Sequence, residues 1–409
     1  MAIDPQTPGV YVEELPGGPR PIQAVGTSTA GFVGVAPLGD AHLNEPYGVN
    51  NWTQFVREFV GESTESTHLC NGVFGFFQNG GQRCYVVNVG PGNTIRGATG
   101  RDGINALAQI DEVAIVAAPG FSDLASHTDL IGHCETLQDR VAILDPPEEV
   151  PDPHVLTIVE SESGATRRRR GDGDAAAADA PAPASAGLRP PQSDRGFAAF
   201  YFPWIRVRDA LNPKLTVAVP PSGHMAGIWA RNDASRGVHK APANEAIRGA
   251  LGVTYVLTDA EQAELNPRGV NCIRFFTQEG IRVWGARTIA DGAGEWRYLN
   301  VRRLFNMIEE SIKLSTRWIV FEPNDRTLWK SIRRDVTAFL TLIWRNGALM
   351  GRVPEEAFFV KCDEETNPPN VVNAGRVVTV IGIAPVKPAE FIIFQISQYA
   401  GGAEPETEE

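Results

Sequence analysis

The residues from Val301 to Ile343 constrain the fold most, because apolar side chains recur there at three- and four-residue steps through two successive segments. Val301, Leu304, Phe305, Ile308, Ile312, Ser315 and Trp318 trace one helical stripe, and Leu328, Ile332, Val336, Phe339, Leu340 and Ile343 trace a second. Asn300 and Asn324 are of a type that caps helix N-termini, and Gly347 and Gly351 follow the second stripe. Glu309 and Lys313 are spaced for an i,i+4 pair on the outward face of the first helix. The period then shortens. Residues 357–362, 376–383 and 390–397 are β-rich runs, separated by Asn367-Pro368-Pro369 and by the stretch from Pro385 to Pro388. The spacing predicts two tandem helices packed on a small sheet.

Upstream, short apolar runs alternate with helical patterns. Strands are expected at 22–25, 29–35, 84–89, 113–117 and 141–145, with helices beginning near Asn51 and covering 69–77 and 122–137. A strand, helix, strand unit of this kind builds a parallel sheet, which 197–206 and 215–219 can complete. Pro220-Pro221-Ser222 then opens a helix running towards Gly237. Thr258-Asp259-Ala260-Glu261 reads as a capping box, and 271–277 with 281–286 as a hairpin.

Residues 161–195 hold Arg167 to Arg170, an alanine run and repeated Pro and Asp, with Leu188 as the only large aliphatic. So little apolar surface cannot offset the cost of ordering a backbone, and a flexible insertion is expected. Pro5, Pro8, Pro16, Pro19 and Pro21 preclude a helix in the opening residues and favour an extended arm, which could reach roughly 70 Å. The fold class is therefore α/β (α+β). It divides into an N-terminal arm (1–22), an outer α/β domain (23–254), an inner core domain of two helices plus sheet (255–388), and a C-terminal strand arm with an acidic tail (389–409).

At 409 residues and 43% hydrophobic content the chain can bury several cores. Its formal charge of -12 argues against nucleic-acid binding, which needs a basic face to neutralise phosphates. Cys70, Cys84, Cys134, Cys272 and Cys362 are odd in number and show no metal-ligand or redox spacing, so reduced thiols are expected. The opening residues lack a basic and apolar leader, and no run reaches the ~18 apolar residues of a membrane span. Cytoplasmic synthesis and assembly are expected.

Chemical motifs fall short of their templates. Gly26-Thr27-Ser28-Thr29-Ala30 lacks the last glycine of a nucleophile elbow. His127, His133 and Cys134 share a predicted helix at spacings that do not converge on one ion. Ser222, His224 and Asp233 are the residue types of a hydrolase, but they crowd one short stretch. Gly90-Pro91-Gly92 lacks the remaining glycine of a dinucleotide fingerprint. No catalytic, metal or cofactor-binding residue is expected.

Several longer words carry a specific resemblance. VWGARTI (Val283 to Ile289), YLNVRRLFNMIEESI (Tyr298 to Ile312), VFEPND (Val320 to Asp325) and PAEFIIFQISQ (Pro388 to Gln398) resemble the C-terminal core of contractile tail sheath proteins of phages and phage-tail-like injection particles. PPSGHMAGIWARND (Pro220 to Asp233), KAPANE (Lys240 to Glu245) and PGVYVEE (Pro8 to Glu14) resemble the same family. The resemblance implies a structural subunit that forms stacked hexameric rings around an inner tube and shortens without nucleotide hydrolysis. Its implied partners are copies of itself, the inner tube, a baseplate and a terminator, with no nucleic acid and no direct membrane insertion.

Val10, Tyr11, Val12 and Glu13, together with Phe391, Ile392, Ile393, Phe394 and Ile396, are the expected inter-subunit strands. Gly17, Gly18, Pro385 and Pro388 are the expected hinges, and Arg333, Arg334, Asp335 and Arg345 the expected tube contacts. The alternatives are a non-contractile scaffold sharing the core and a hydrolase built on the α/β layer.

Overall fold

A computed structural model describes residues 21–161, 187–290 and 294–393. Val10, Tyr11, Val12, Glu13, Gly17, Gly18, Phe394, Ile396 and the Arg167 to Arg170 run lie outside the described residues.

Nine strands form one sheet in the order β2-β3-β1-β4-β5-β6-β11-β12-β9. They are β1 (Ala30–Gly34), β2 (Tyr47–Val49), β3 (Cys84–Asn88), β4 (Ile115–Ala117), β5 (Val141–Leu144), β6 (Ala198–Phe202), β9 (Glu245–Ala246), β11 (Val270–Phe276) and β12 (Gly280–Val283). Those from β3 through β11 are parallel, and β2, β12 and β9 add on antiparallel. The parallel strands are almost continuously apolar because both of their faces are covered.

α1 (Trp52–Phe55), α2 (His68–Gln78) and α4 (Ser222–Arg236) share a core with Phe32, Phe59, Phe76, Tyr201 and Trp229. α3 (Leu124–Leu137) and α5 (Asp259–Leu265) lie over the core of Val33, Leu107, Leu130, Phe200 and Val270. α2 and α4 approach closely at glycines: a Cβ on Gly223 would lie 2.3 Å from Gly72 Cα, and one on Gly75 would meet the His224 ring at the same distance.

The parallel register confirms the βαβ unit, and α5 carries the expected capping box in full. The expected strand at 215–219 goes elsewhere. β8 (Thr216–Val219) pairs with β7 (Ile205–Arg208), which pairs with β10 (Ala250–Val253), in a separate three-stranded sheet. β11 and β12 lie beyond residue 254 yet belong to the large sheet, which therefore does not stop at that expected boundary. The insertion is also narrower than 161–195. Leu188, Arg189 and Ser193 are buried, Arg189 N–H donates to the Ile158 carbonyl at 3.0 Å, and Ser193 Oγ donates to Glu135 at 2.6 Å.

The C-terminal module consists of α6 (Leu299–Ser315), α7 (Arg326–Arg345) and the two-stranded pair of β13 (Phe358–Lys361) with β14 (Val380–Ile383). Every residue of the second stripe is buried between the two helices and this small sheet. Both expected caps are displaced by one or two residues. Asp325, not Asn324, accepts from Leu328 N–H at 2.8 Å, while Asn324 Oδ1 accepts from Trp329 Nε1. α6 begins before Asn300, whose amide instead donates to the His239 and Val386 carbonyls.

Candidate assembly surfaces

α6 is buried on two faces. Leu304, Met307 and Ile308 share a core with α7, and the opposite side, carrying Arg302, Arg303, Asn306 and Glu310, packs on the α/β layer. The Arg303 guanidinium makes a two-pronged pair with Asp233 on α4, with Nη1 to Oδ1 at 2.9 Å, and lies 4.8 Å from the Trp229 ring. Arg302 is fully buried between Trp296 (4.2 Å) and Phe197 (4.6 Å), and burial pulls its pKa down to about 10. Glu309 reaches back to Arg302 at 3.4 Å, and Lys313 pairs with Glu310, so the expected Glu309 to Lys313 pair does not form.

The chain before β1 lies along α6 and forms no strand at 22–25. Gln23 N–H donates to Ser315 Oγ at 3.2 Å and Val25 N–H to Ser311 Oγ at 3.0 Å. Arg303 Nη2 donates to the Thr27 carbonyl at 3.0 Å, and Thr27 Oγ1 donates to Asp233 at 2.6 Å. Ile22 is buried in the helical core.

At the other end, the expected hinge at Pro385 and Pro388 is tied down. Met350 N–H donates to the Ala384 carbonyl at 2.8 Å, Val386 N–H to the Ala348 carbonyl at 3.2 Å, and Leu349 bridges to Pro385. Glu390 forms an ion pair with the buried Arg287, with Nε to Oε1 at 2.9 Å. Beyond this anchor Phe391, Ile392 and Ile393 are exposed and form no strand in the single chain. Among the described residues β13 and β14 make a sheet with only one pairing, and Phe359 and Val380 on it are exposed.

On α7, Arg333, Arg334 and Arg345 are exposed, but Asp335 is buried and accepts from Arg334 Nε at 2.9 Å. Asp335 therefore belongs to the subunit's own packing. In the turn between α6 and α7, Phe321 is fully exposed at φ 74°, where bulky residues are strained. Sequence reasoning passed over Phe321 and the polar face of α6. The first had no periodic signal, and nothing in the local sequence sets the second apart from a solvated face.

The hydrolase-like side chains diverge. Ser222 donates to Asp145 from both N–H (2.9 Å) and Oγ, His224 is buried against Gly75, and Asp233 is consumed by Arg303 and Thr27. Burial raises the Asp145 carboxyl to about 7 and lowers His224 to about 4. His127 and His133 are likewise lowered to about 4 by burial, and His127 Nε2 bonds the Asp145 carbonyl. All five cysteines are free and buried, and burial pushes the Cys70 thiol up to about 12. At the C-terminal ends of β1 and β4, where a parallel sheet offers a ligand crevice, Thr67 caps α2, and Ser66 and Asn71 hold Asp209. No described helix is long and apolar enough to cross a membrane.

Two family models match: the phage tail sheath protein central domain over residues 195–289 and the phage tail sheath C-terminal domain over 293–398. The sheath complex of PVC, an extracellular contractile injection system, in its contracted state superposes with a TM-score of 0.73 at 30% identity, covering 98% of this chain and 99% of that one. The contracted helical sheath of the anti-feeding prophage gives 0.70 at 29%, covering 96% and 99%. The tail sheath protein of Vibrio phage KVP40 is 30% identical over 177 residues, or 42% of this chain. The matched region spans 26% to 34% of the length of the curated phage relatives. With the fold matched end to end and the two domain signatures in order, the chain belongs to the tail sheath family of phage tails and contractile injection systems.

Proposed function

We propose that the protein is the structural subunit of a contractile sheath, assembled as stacked hexameric rings around an inner tube and shortening without nucleotide hydrolysis to drive that tube into a target. Assembly in the cytoplasm would trap a metastable extended lattice, engaging a baseplate at one end and a terminator at the other. The observation that carries this reading is the exposed Phe391-Ile392-Ile393 run leaving a body pinned at Glu390. In a soluble subunit such a run needs a partner, and the single-pairing β13–β14 sheet offers edges that a second copy's strand would complete.

The trans strands are then Val10 to Glu13 and Phe391 to Ile396. Gly17 and Gly18 serve as the N-terminal hinge. The C-terminal hinge moves past Glu390, because Pro385 and Pro388 lie in the pinned stretch. Head-to-tail pairing of this kind propagates as an open helix. Arg333, Arg334 and Arg345 are the proposed tube contacts.

Ile393→Pro and Tyr11→Pro test the strands. Each should abolish sheath assembly seen by electron microscopy while leaving the melting temperature of the isolated subunit within about a degree. Normal sheaths from either variant refute trans pairing. Charge reversal of the three arginines should weaken co-assembly with the tube, and unchanged co-assembly at physiological salt places the tube contact elsewhere.

A further inference from the structure

Between α6, the segment before β1 and the start of β4 lies a small cavity whose lining includes Thr27, Asp111, Asp139, Arg303, Asn306 and Glu310. It gives a water centre about 20 Å³ in which to move, enough to hold a water molecule. Asn306 and Glu310 are 4% and 6% exposed, and each presents one polar atom without a partner among the described residues: Asn306 Nδ2, a donor, and Glu310 Oε1, an acceptor. Their other atoms are committed. Asn306 Oδ1 accepts from Arg302 Nε at 2.7 Å, which fixes the amide orientation, and Glu310 Oε2 accepts from Lys313 Nζ at 2.9 Å. The two residues are spaced i,i+4 on one helix, so their free atoms face the same opening. A buried donor and a buried acceptor left unmade each cost free energy, and one water, accepting from the first and donating to the second, satisfies both.

We infer that this cavity is a binding site for one ordered water, which joins Arg302, Asn306 and Glu310 into a continuous polar ladder along α6 that ends at the exposed Lys313. The site lies at the joint between the helical module and the α/β layer, and its other charged lining residues are paired, Asp139 with Arg140, Arg303 with Asp233 and Asp111 with Arg317, which leaves a neutral occupant. A water can donate to Glu310 and accept from Asn306 at once, whereas a cation would be repelled by the Asn306 N–H.

The test is a structure of the intact subunit or sheath at a resolution that shows solvent, for the parent, Glu310→Leu and Lys313→Ala. The expected result is one solvent peak within hydrogen-bond distance of Asn306 Nδ2 and Glu310 Oε1 in the parent and in Lys313→Ala, lost in Glu310→Leu. A direct Asn306 to Glu310 bond, a peak with metal-like coordination, or no peak in the parent overturns the inference. A peak that persists in Glu310→Leu overturns the role of Glu310. If Glu310→Leu does not fold, the parent structure decides alone.

Discussion

Asp233→Ala separates the structural role of this carboxylate from the catalytic one its neighbours Ser222 and His224 first suggest. Asp233 and Arg303 have side chains 5% and 3% exposed and make two charge-assisted bonds, with a third from Thr27. Truncation leaves the Arg303 charge buried, with only the Thr27 carbonyl and the Trp229 face for company. Removing one partner of a buried pair costs roughly 3–5 kcal/mol, whereas replacing both by apolar groups is often neutral. Asp233→Ala should therefore lose about that much in urea unfolding of the isolated subunit, and adding Arg303→Met should recover most of it. A single-variant loss under about 1 kcal/mol, or a double variant less stable than the single, refutes the clamp.

Unfolding stability should fall as pH drops from 6.5 towards 4. His127, His133 and His224, lowered to about 4, are neutral when folded and bind protons on unfolding, whereas Asp145, raised to about 7, binds a proton on folding and opposes them. Three groups against one leave a net two, or roughly 2–3 kcal/mol per pH unit in that window; a flat profile in urea titrations at several pH values contradicts it. Deleting 162–186 with a short Gly/Ser joint should preserve assembly, because Glu160 and Arg189 already bond across the gap. Deleting 161–195 should not, since it removes the buried Leu188 and Ser193; equal assembly of the two deletions would show the 187–195 packing to be dispensable. Phe321→Gly relieves about 1–2 kcal/mol of left-handed strain against ~0.5–1 of added unfolded-state entropy, so thermal melting should show a subunit slightly more stable, and a clear loss would mean Phe321 makes contacts that outweigh its strain.

The second helical stripe was legible because one apolar face at a 3.6 period has a single burial solution, and each of its residues is buried. The α5 capping box was legible because its partners are three residues apart. α6 was only half legible. A helix packed on both sides buries Arg302, Arg303, Asn306 and Glu310, and nothing local distinguishes such polar residues from a solvated face until Asp233, Phe197 and Trp296 arrive from distant sequence. The Pro385 to Pro388 stretch misled for the same reason. Prolines announce a break in regular structure, but whether the segment is free depends on Arg287 and Asn300, which only the fold places against it.

Both ends of the described chain are fastened at or beside one helix. The leading segment runs along Ser315, Ser311 and Arg303, and the trailing one is held by Asn300 at the first turn and by Arg287 just upstream. If neighbours pull on these two ends, tension runs along the axial hydrogen bonds of α6 and also passes through Arg287 and Asn271 into β11 of the nine-stranded sheet. The subunit would then bear load in α6 and the β11 side of the sheet, while the far end of the sheet at β2 and β3 can vary without altering how force is passed along the lattice.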